Sequence, residues 1–141
     1  MKNTKAKNKQ QSEEGNWYLI DAKQASLGRI ATKISGYLTG KNRPDYSPHE
    51  DKGGYVVVIN TDKLNISAKK STNKMYHHYS GYPGGLKSKS LAEKLEQRGS
   101  AWVVREAVRG MLPKNRLRKG RLARLKVYGG AEHPHQDKIK K

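Results

Sequence analysis

The sequence predicts an α/β domain, and three observations carry that reading. Trp17–Asp21 is a short aromatic and β-branched run of strand character. A helical stripe follows it, and Tyr55–Asn60 is then apolar without alternation, the pattern of a strand covered on both faces in a parallel sheet. Strand, helix and strand in that order make a βαβ unit, whose crossover runs right-handed. A length of 141 residues suits one domain with one core. That core is lean: only 24 of the 141 residues are Leu, Ile, Val or Phe, below the roughly one-fifth that, with high net charge, separates ordinary domains from disorder-prone chains. Parts of the chain are therefore expected to order only on a partner.

Each element has a local cause. Ser26 stands as N-cap before Leu27, Ile30, Ala31, Ile34 and Leu38, which share one helical face, and Gly40 supplies the stop. Thr39–Gly54 has two prolines and no periodicity, and it reads as a long loop. Leu64–Ser67 reads as a third short strand, and residues 68–90 as a basic, glycine-containing, Tyr- and His-rich excursion without a helical stripe. Ser90–Glu93 has the S-x-x-E form of a capping box, opening a helix with Leu91 and Leu95 inward and Gly99 as its terminator. Ser100 then caps a second helix, with Ala101, Val104, Val108 and Met111 as the stripe and Pro113 as the stop. Lys126–Tyr128 reads as a last strand. Residues 1–16 are expected to be a basic polar tail, disordered when free, residues 17–130 the α/β domain, and residues 131–141 a polar C-terminal tail.

Thirty Lys and Arg against twelve Asp and Glu give a formal net charge of +18. Self-repulsion on this scale costs stability unless a polyanion neutralises it, so nucleic acid is the expected partner. The excess is uneven: residues 1–60 hold 10 basic and 6 acidic side chains, residues 61–141 hold 20 and 6. From Arg109 to Lys126 there are eight basic residues in eighteen and no acid, without the i, i+4 acids that accompany an ordinary solvated face. The excursion from Lys69 to Lys89 interleaves lysines with Tyr and His rings, a combination suited to RNA, whose exposed bases stack on rings and whose phosphates pair with cations.

Other chemistry finds little support. With no cysteine there is neither a disulfide framework nor a Cys-based zinc site. The longest apolar run, around Tyr55–Ile59, is far short of the roughly 20 residues that span a bilayer, and the first sixteen residues lack the apolar stretch of a secretory signal. Gly36–Asn42 superficially suggests a phosphate loop. Only three residues separate its glycines, though, and it ends a helix where a phosphate loop would begin one. His77 and His78 are adjacent on an extended segment and point to opposite faces, so one metal ion is not easily reached by both. Asp45, Glu50 and Asp51 share the long loop, and a hydrolase or nucleotide-modifying site there is the enzymatic alternative; a nucleic-acid regulator is the other.

Several segments together resemble a known family: Trp17–Ala22, Leu27–Thr32, Leu38–Lys41, Tyr46–His49, Val57–Asn60, Lys74–Lys87 with its Gly-Tyr-Pro-Gly-Gly run, Ala107–Asn115 with Arg-Gly-Met-Leu-Pro-Lys, and Leu125–Tyr128 with Gly130–His135. In this order they are similar to the large-subunit ribosomal protein L13 family in its bacterial or organellar form. The resemblance implies a four-stranded, mainly parallel sheet flanked by helices, with basic loop and tail extensions. It implies a non-enzymatic role in the large ribosomal subunit, binding large-subunit rRNA early in assembly beside neighbouring ribosomal proteins, and, for a bacterial source, a cytoplasmic location. No cofactor, metal, small-molecule substrate, membrane or second copy of the chain is expected as a partner. Three groups are expected to contact rRNA. The first is Arg109, Lys114, Arg116, Arg118, Lys119, Arg121, Arg124 and Lys126. The second is Lys69, Lys70, Lys74, Tyr76, His77, His78, Tyr82, Lys87 and Lys89, and the third is Lys41 with Arg43.

Overall fold

Three strands in parallel register, with helices laid on one face, make the core. The computed structural model describes residues 16–139; apart from Asn16, the expected N-terminal tail lies outside the described residues. Strand β1 (Trp17–Asp21) leads into helix α1 (Leu27–Thr39), which returns the chain to β2 (Tyr55–Ile59). After a 3-10 turn at Thr61–Lys63 come α2 (Ala68–Asn73), the strands β3 (Met75–Tyr79) and β4 (Leu86–Ser90), the long α3 (Leu91–Met111), α4 (Leu117–Ala123), β5 (Leu125–Val127) and a last turn, α5 (Gln136–Ile139).

β2 is central, pairing in parallel with β1 on one side and β5 on the other. The chain thus crosses the sheet twice in the same direction. Two right-handed crossovers in one direction put their helices on one face, and α1 and α3 do pack together. Between them and the sheet lie Ile20, Ile30, Ile34, Leu38, Val56, Val58, Val104, Val108 and Leu125. Val56, Val57 and Val58 are all wholly buried, as the uninterrupted apolar run predicts.

The ends of the helices follow their residues. Gly40 takes the left-handed conformation (φ 82°), and its N–H reaches the Gly36 carbonyl at 3.1 Å. Ser90 Oγ accepts from the Glu93 N–H at 3.3 Å, half of the expected capping box. Gly99 (φ 77°, ψ 171°) breaks α3 into two helical segments, as expected of a terminator. Ser100 Oγ donates to Asp62 Oδ1 at 2.7 Å, tying the second segment to the 3-10 turn.

On the opposite face of the sheet, Trp17 stacks on Tyr55 with ring centroids 4.5 Å apart. The C-terminal segment folds over this pair: the His135 ring lies 5.1 Å from Trp17, and its Nε2 is 3.0 Å from the Tyr128 hydroxyl.

Two expectations need correction, and one segment holds more structure than its sequence pattern marks. Leu64–Ser67 does not form a strand: its β pairing is a single isolated bridge, Ser26 to Asn65, while Leu64 packs against the core, so the central sheet has three strands where four were expected. Asn65 and Ser67 are exposed there, and only Leu64 and Ile66 are half-buried, too little apolar surface to hold an edge. Residues 68–90 carry no helical stripe, as expected, and within the excursion lie the short α2, which buries no side chain, and an antiparallel hairpin of β3 with β4. Met111 is 44% exposed, because Val103, Val104 and Val108 set the buried side of α3 and Leu112 supplies the next core side chain.

Ile34 is fully buried between α1 and the sheet. Ile34→Ala is expected to lower the unfolding free energy by about 2 to 5 kcal/mol, seen as a lower urea midpoint at unchanged slope.

Candidate nucleic-acid interface

The basic run from Arg109 to Lys126 ends α3, turns at Pro113 and forms α4. Lys114, Arg116 and Lys119 are exposed, and Arg118 and Lys126 are half-buried. Arg109 lies in the last turn of α3 and is also exposed, although its Nη1 pairs with Glu106 at 3.1 Å.

Arg121 and Arg124 are placed otherwise. The Arg121 side chain is 2% exposed, with Nε 3.3 Å from Asp51 Oδ1. Arg124 donates from Nη2 to Oδ1 (2.6 Å) and from Nη1 to Oδ2 (2.7 Å) of the same carboxylate, and from Nη2 to the Leu38 carbonyl at 3.2 Å. One carboxylate therefore holds two guanidinium groups and fastens the long loop to α4 and to the end of α1. The Arg124 guanidinium, foremost, holds the Asp51 carboxyl below the usual carboxylate range. Gly53 is required where the loop passes, because a Cβ there would run into the Leu38 carbonyl oxygen. Arg121 is thus corrected from a surface contact to an internal one. The acid that a helical count cannot find arrives from a loop about seventy residues earlier in the chain.

The same loop answers the enzymatic alternative. Arg43 pairs with Asp45 at 3.0 Å, and Lys52 Nζ lies 2.6 Å from Glu50. The bond from Arg43 lowers the Asp45 carboxyl, and that from Lys52 lowers Glu50. All three carboxylates are held ionised by a cation, a poor arrangement for general acid chemistry. Lys41 remains exposed, whereas Arg43 is half-buried.

The second surface is the hairpin. Its turn is set by Gly81 (φ +88°) and Gly84 (φ +72°), and by Gly85, where a Cβ would meet Ser80 Oγ. Tyr82 stands at the tip, 75% exposed. His78 and Lys87 are exposed, and His77 Nδ1 lies 2.7 Å from Ser88 Oγ across the strands. Lys69, Lys70 and Lys74 on and after α2 are exposed as well. Two expected contacts turn inward. Tyr76 meets Trp102 of α3 edge-on at 5.4 Å, with its phenol raised by burial, and Lys89 bonds to Gln97 at 2.8 Å. They anchor the hairpin to α3.

One group of cations has no counterpart among the expected sites. Lys94 and Arg98 lie over the Trp102 ring, 5.4 and 5.9 Å from its centroid. Their spacing of four, ending on a tryptophan, is the signal that points to them.

Comparison with known proteins shows the family. The family described as "Ribosomal protein L13" matches residues 15–134. The chain is 49% identical over 123 residues to the large ribosomal subunit protein uL13 of Synechococcus elongatus, covering 87% of this chain and 81% of that protein. It is 50% identical over 120 residues to uL13 of Aeromonas hydrophila, covering 85% and 84%. With uL13 of Rubrobacter xylanophilus it shares 48% over 122 residues, covering 86% and 85%.

Removing the Asp51 carboxylate strands a buried guanidinium. Asp51→Ala is expected to cost about 3 kcal/mol, the lower end for a broken buried pair, because a quarter of the Asp51 side chain stays in solvent. A depressed carboxyl stabilises the fold above its unfolded pKa and loses that contribution as pH falls through the folded value. Wild-type stability should therefore drop below about pH 4, and denaturant melts of the variant should show a shallower drop.

Proposed function

The chain belongs to the ribosomal protein L13 family, and on that premise we propose that it is a component of the large ribosomal subunit that binds large-subunit rRNA and helps organise it early in assembly. Ribosomal proteins of this kind are structural, not enzymatic. The observation that carries the reading is the division of the cations. Those near the core are matched to acids, as Arg121 and Arg124 are to Asp51, while Lys114, Arg116 and Lys119 stand exposed on a stretch free of acids. Lys69, Lys70, Lys74 and Lys87 repeat the pattern around the hairpin, and Lys41 adds a further site on the long loop.

The mechanism is electrostatic. Each exposed cation that meets a phosphate displaces condensed counterions, so RNA segments that repel one another pack against a common surface. The α/β core supplies a rigid base, and the exposed cations on α2, the hairpin, α4 and the long loop supply the contacts. Neighbouring proteins of the subunit complete the surroundings, and for a bacterial source the site of action is the cytoplasmic ribosome.

Binding to large-subunit rRNA as a function of salt tests this reading. Changing Arg116, Arg118 and Lys119 together to Ala should flatten the slope of log K against log salt by roughly 0.7 to 0.9 for each phosphate that is no longer neutralised. An unchanged slope removes this stretch from the interface.

A further inference from the structure

The outward face of the hairpin has a composition unlike the rest of this surface. Antiparallel pairing sets Met75 opposite Ser90, His77 opposite Ser88 and Tyr79 opposite Leu86, so these six side chains share one face. None is Lys, Arg, Asp or Glu. Tyr76, His78, Lys87 and Lys89 fall on the other face, which at its base rests on Trp102 and Gln97 of α3. The charge-free face carries three large exposed apolar side chains, Met75 at 43%, Tyr79 at 62% and Leu86 at 61%.

Nothing in the described fold covers them. From His77 to Ser88 every residue but Gly85 is exposed, on both faces of a two-stranded ribbon. A two-stranded ribbon without packing is marginal in water, and an apolar patch left bare on a strongly charged protein marks a contact surface.

We propose that this face is a stacking platform for unpaired nucleobases, with Tyr79 as the ring and Leu86 and Met75 as its apolar border. The inference rests on the rRNA-binding reading and adds to it the part of the RNA that the hairpin takes. Charge decides the occupant. Between Asp62 and Glu93 the chain has six lysines and no acid. A duplex offers phosphates to such a surface but hides its base planes, which leaves the bare apolar face unused. An unpaired strand offers both, with bases for the uncharged face and phosphates for Lys74, Lys87 and the lysines of α2. An apolar protein partner would fill the face and leave the lysine frame without counter-charge. The His77 Nδ1–Ser88 Oγ contact at 2.7 Å joins the two strands in the middle of this face.

The test is affinity of the full-length protein for a large-subunit rRNA transcript, across a salt series, for Tyr79→Ala, Tyr79→Phe, Leu86→Ala and Lys87→Ala. Tyr79→Ala is expected to weaken binding roughly 5- to 150-fold, the range for losing one base stack, with no change in salt slope. Tyr79→Phe, which keeps the ring, should restore affinity, and Lys87→Ala should change the slope instead. Because Tyr79 and Leu86 are exposed, circular dichroism melts of all four variants should match the wild type. Wild-type affinity in both Tyr79→Ala and Leu86→Ala, with the wild-type protein binding normally, overturns the platform and leaves the face to a protein neighbour. Failure of the wild-type protein itself to bind overturns the rRNA reading beneath it.

Discussion

An excess of eighteen positive charges is the constraint around which this chain is organised. Twelve acids cannot neutralise thirty cations, so where the acids stand determines which parts fold on their own terms. Asp51 holds Arg121 and Arg124 together beneath the long loop. Asp21 accepts from the Lys23 N–H and from Asn60 at the end of the sheet, and Asp62 accepts from Ser100. These carboxylates join segments far apart in sequence close to the core. Beyond them, the hairpin and the start of α4 are left with cations and no acids, a state that self-repulsion disfavours until a polyanion arrives.

The apolar core is small but economical in shape. β2 is buried on both faces, and α1 and α3 lie side by side over it, so one sheet and two helices suffice for a firm base. The extensions leave this base at sharp, glycine-set points. Gly40 turns the chain out of α1 into the long loop, Gly99 breaks α3 beside the Trp102 anchor, and Gly81 and Gly84 shape the hairpin tip. Tyr76 on Trp102 and Lys89 on Gln97 make the hairpin base a rigid mount, while its outer half stays bare.

Local patterns suffice for β1, α1, β2 and the break at Gly99, because each is dictated by neighbouring residues: an apolar stripe, a valine run, a glycine that permits positive φ. The hairpin is not legible in the same way. β3 is almost all rings and β4 sets lysines between serines, so neither shows the apolar alternation that marks a half-buried strand nor a helical stripe. Leu64–Ser67 shows the opposite failure, since its composition suits a strand but nothing pairs with it beyond Asn65. For the interface, the distribution of charge locates the basic stretch but cannot divide it, because what sets Arg121 and Arg124 apart from the exposed Arg116 is a carboxylate contributed by the long loop and, for Arg124, the Leu38 carbonyl. Long-range ion pairs of this kind leave no trace in local spacing. The family resemblance, carried by motifs spread from Trp17 to His135, is legible throughout and agrees with the match over residues 15–134.

The proposed role turns on the exposed cations being matched by rRNA within a large ribosomal subunit. Sedimenting a cell lysate through a sucrose gradient at high monovalent salt, and probing the fractions for this chain, tests that most directly, because superficial ionic association weakens by orders of magnitude under those conditions. Stoichiometric retention with the large subunit is the predicted result. Quantitative release to the top of the gradient would contradict it and return the basic surface to a peripheral binder.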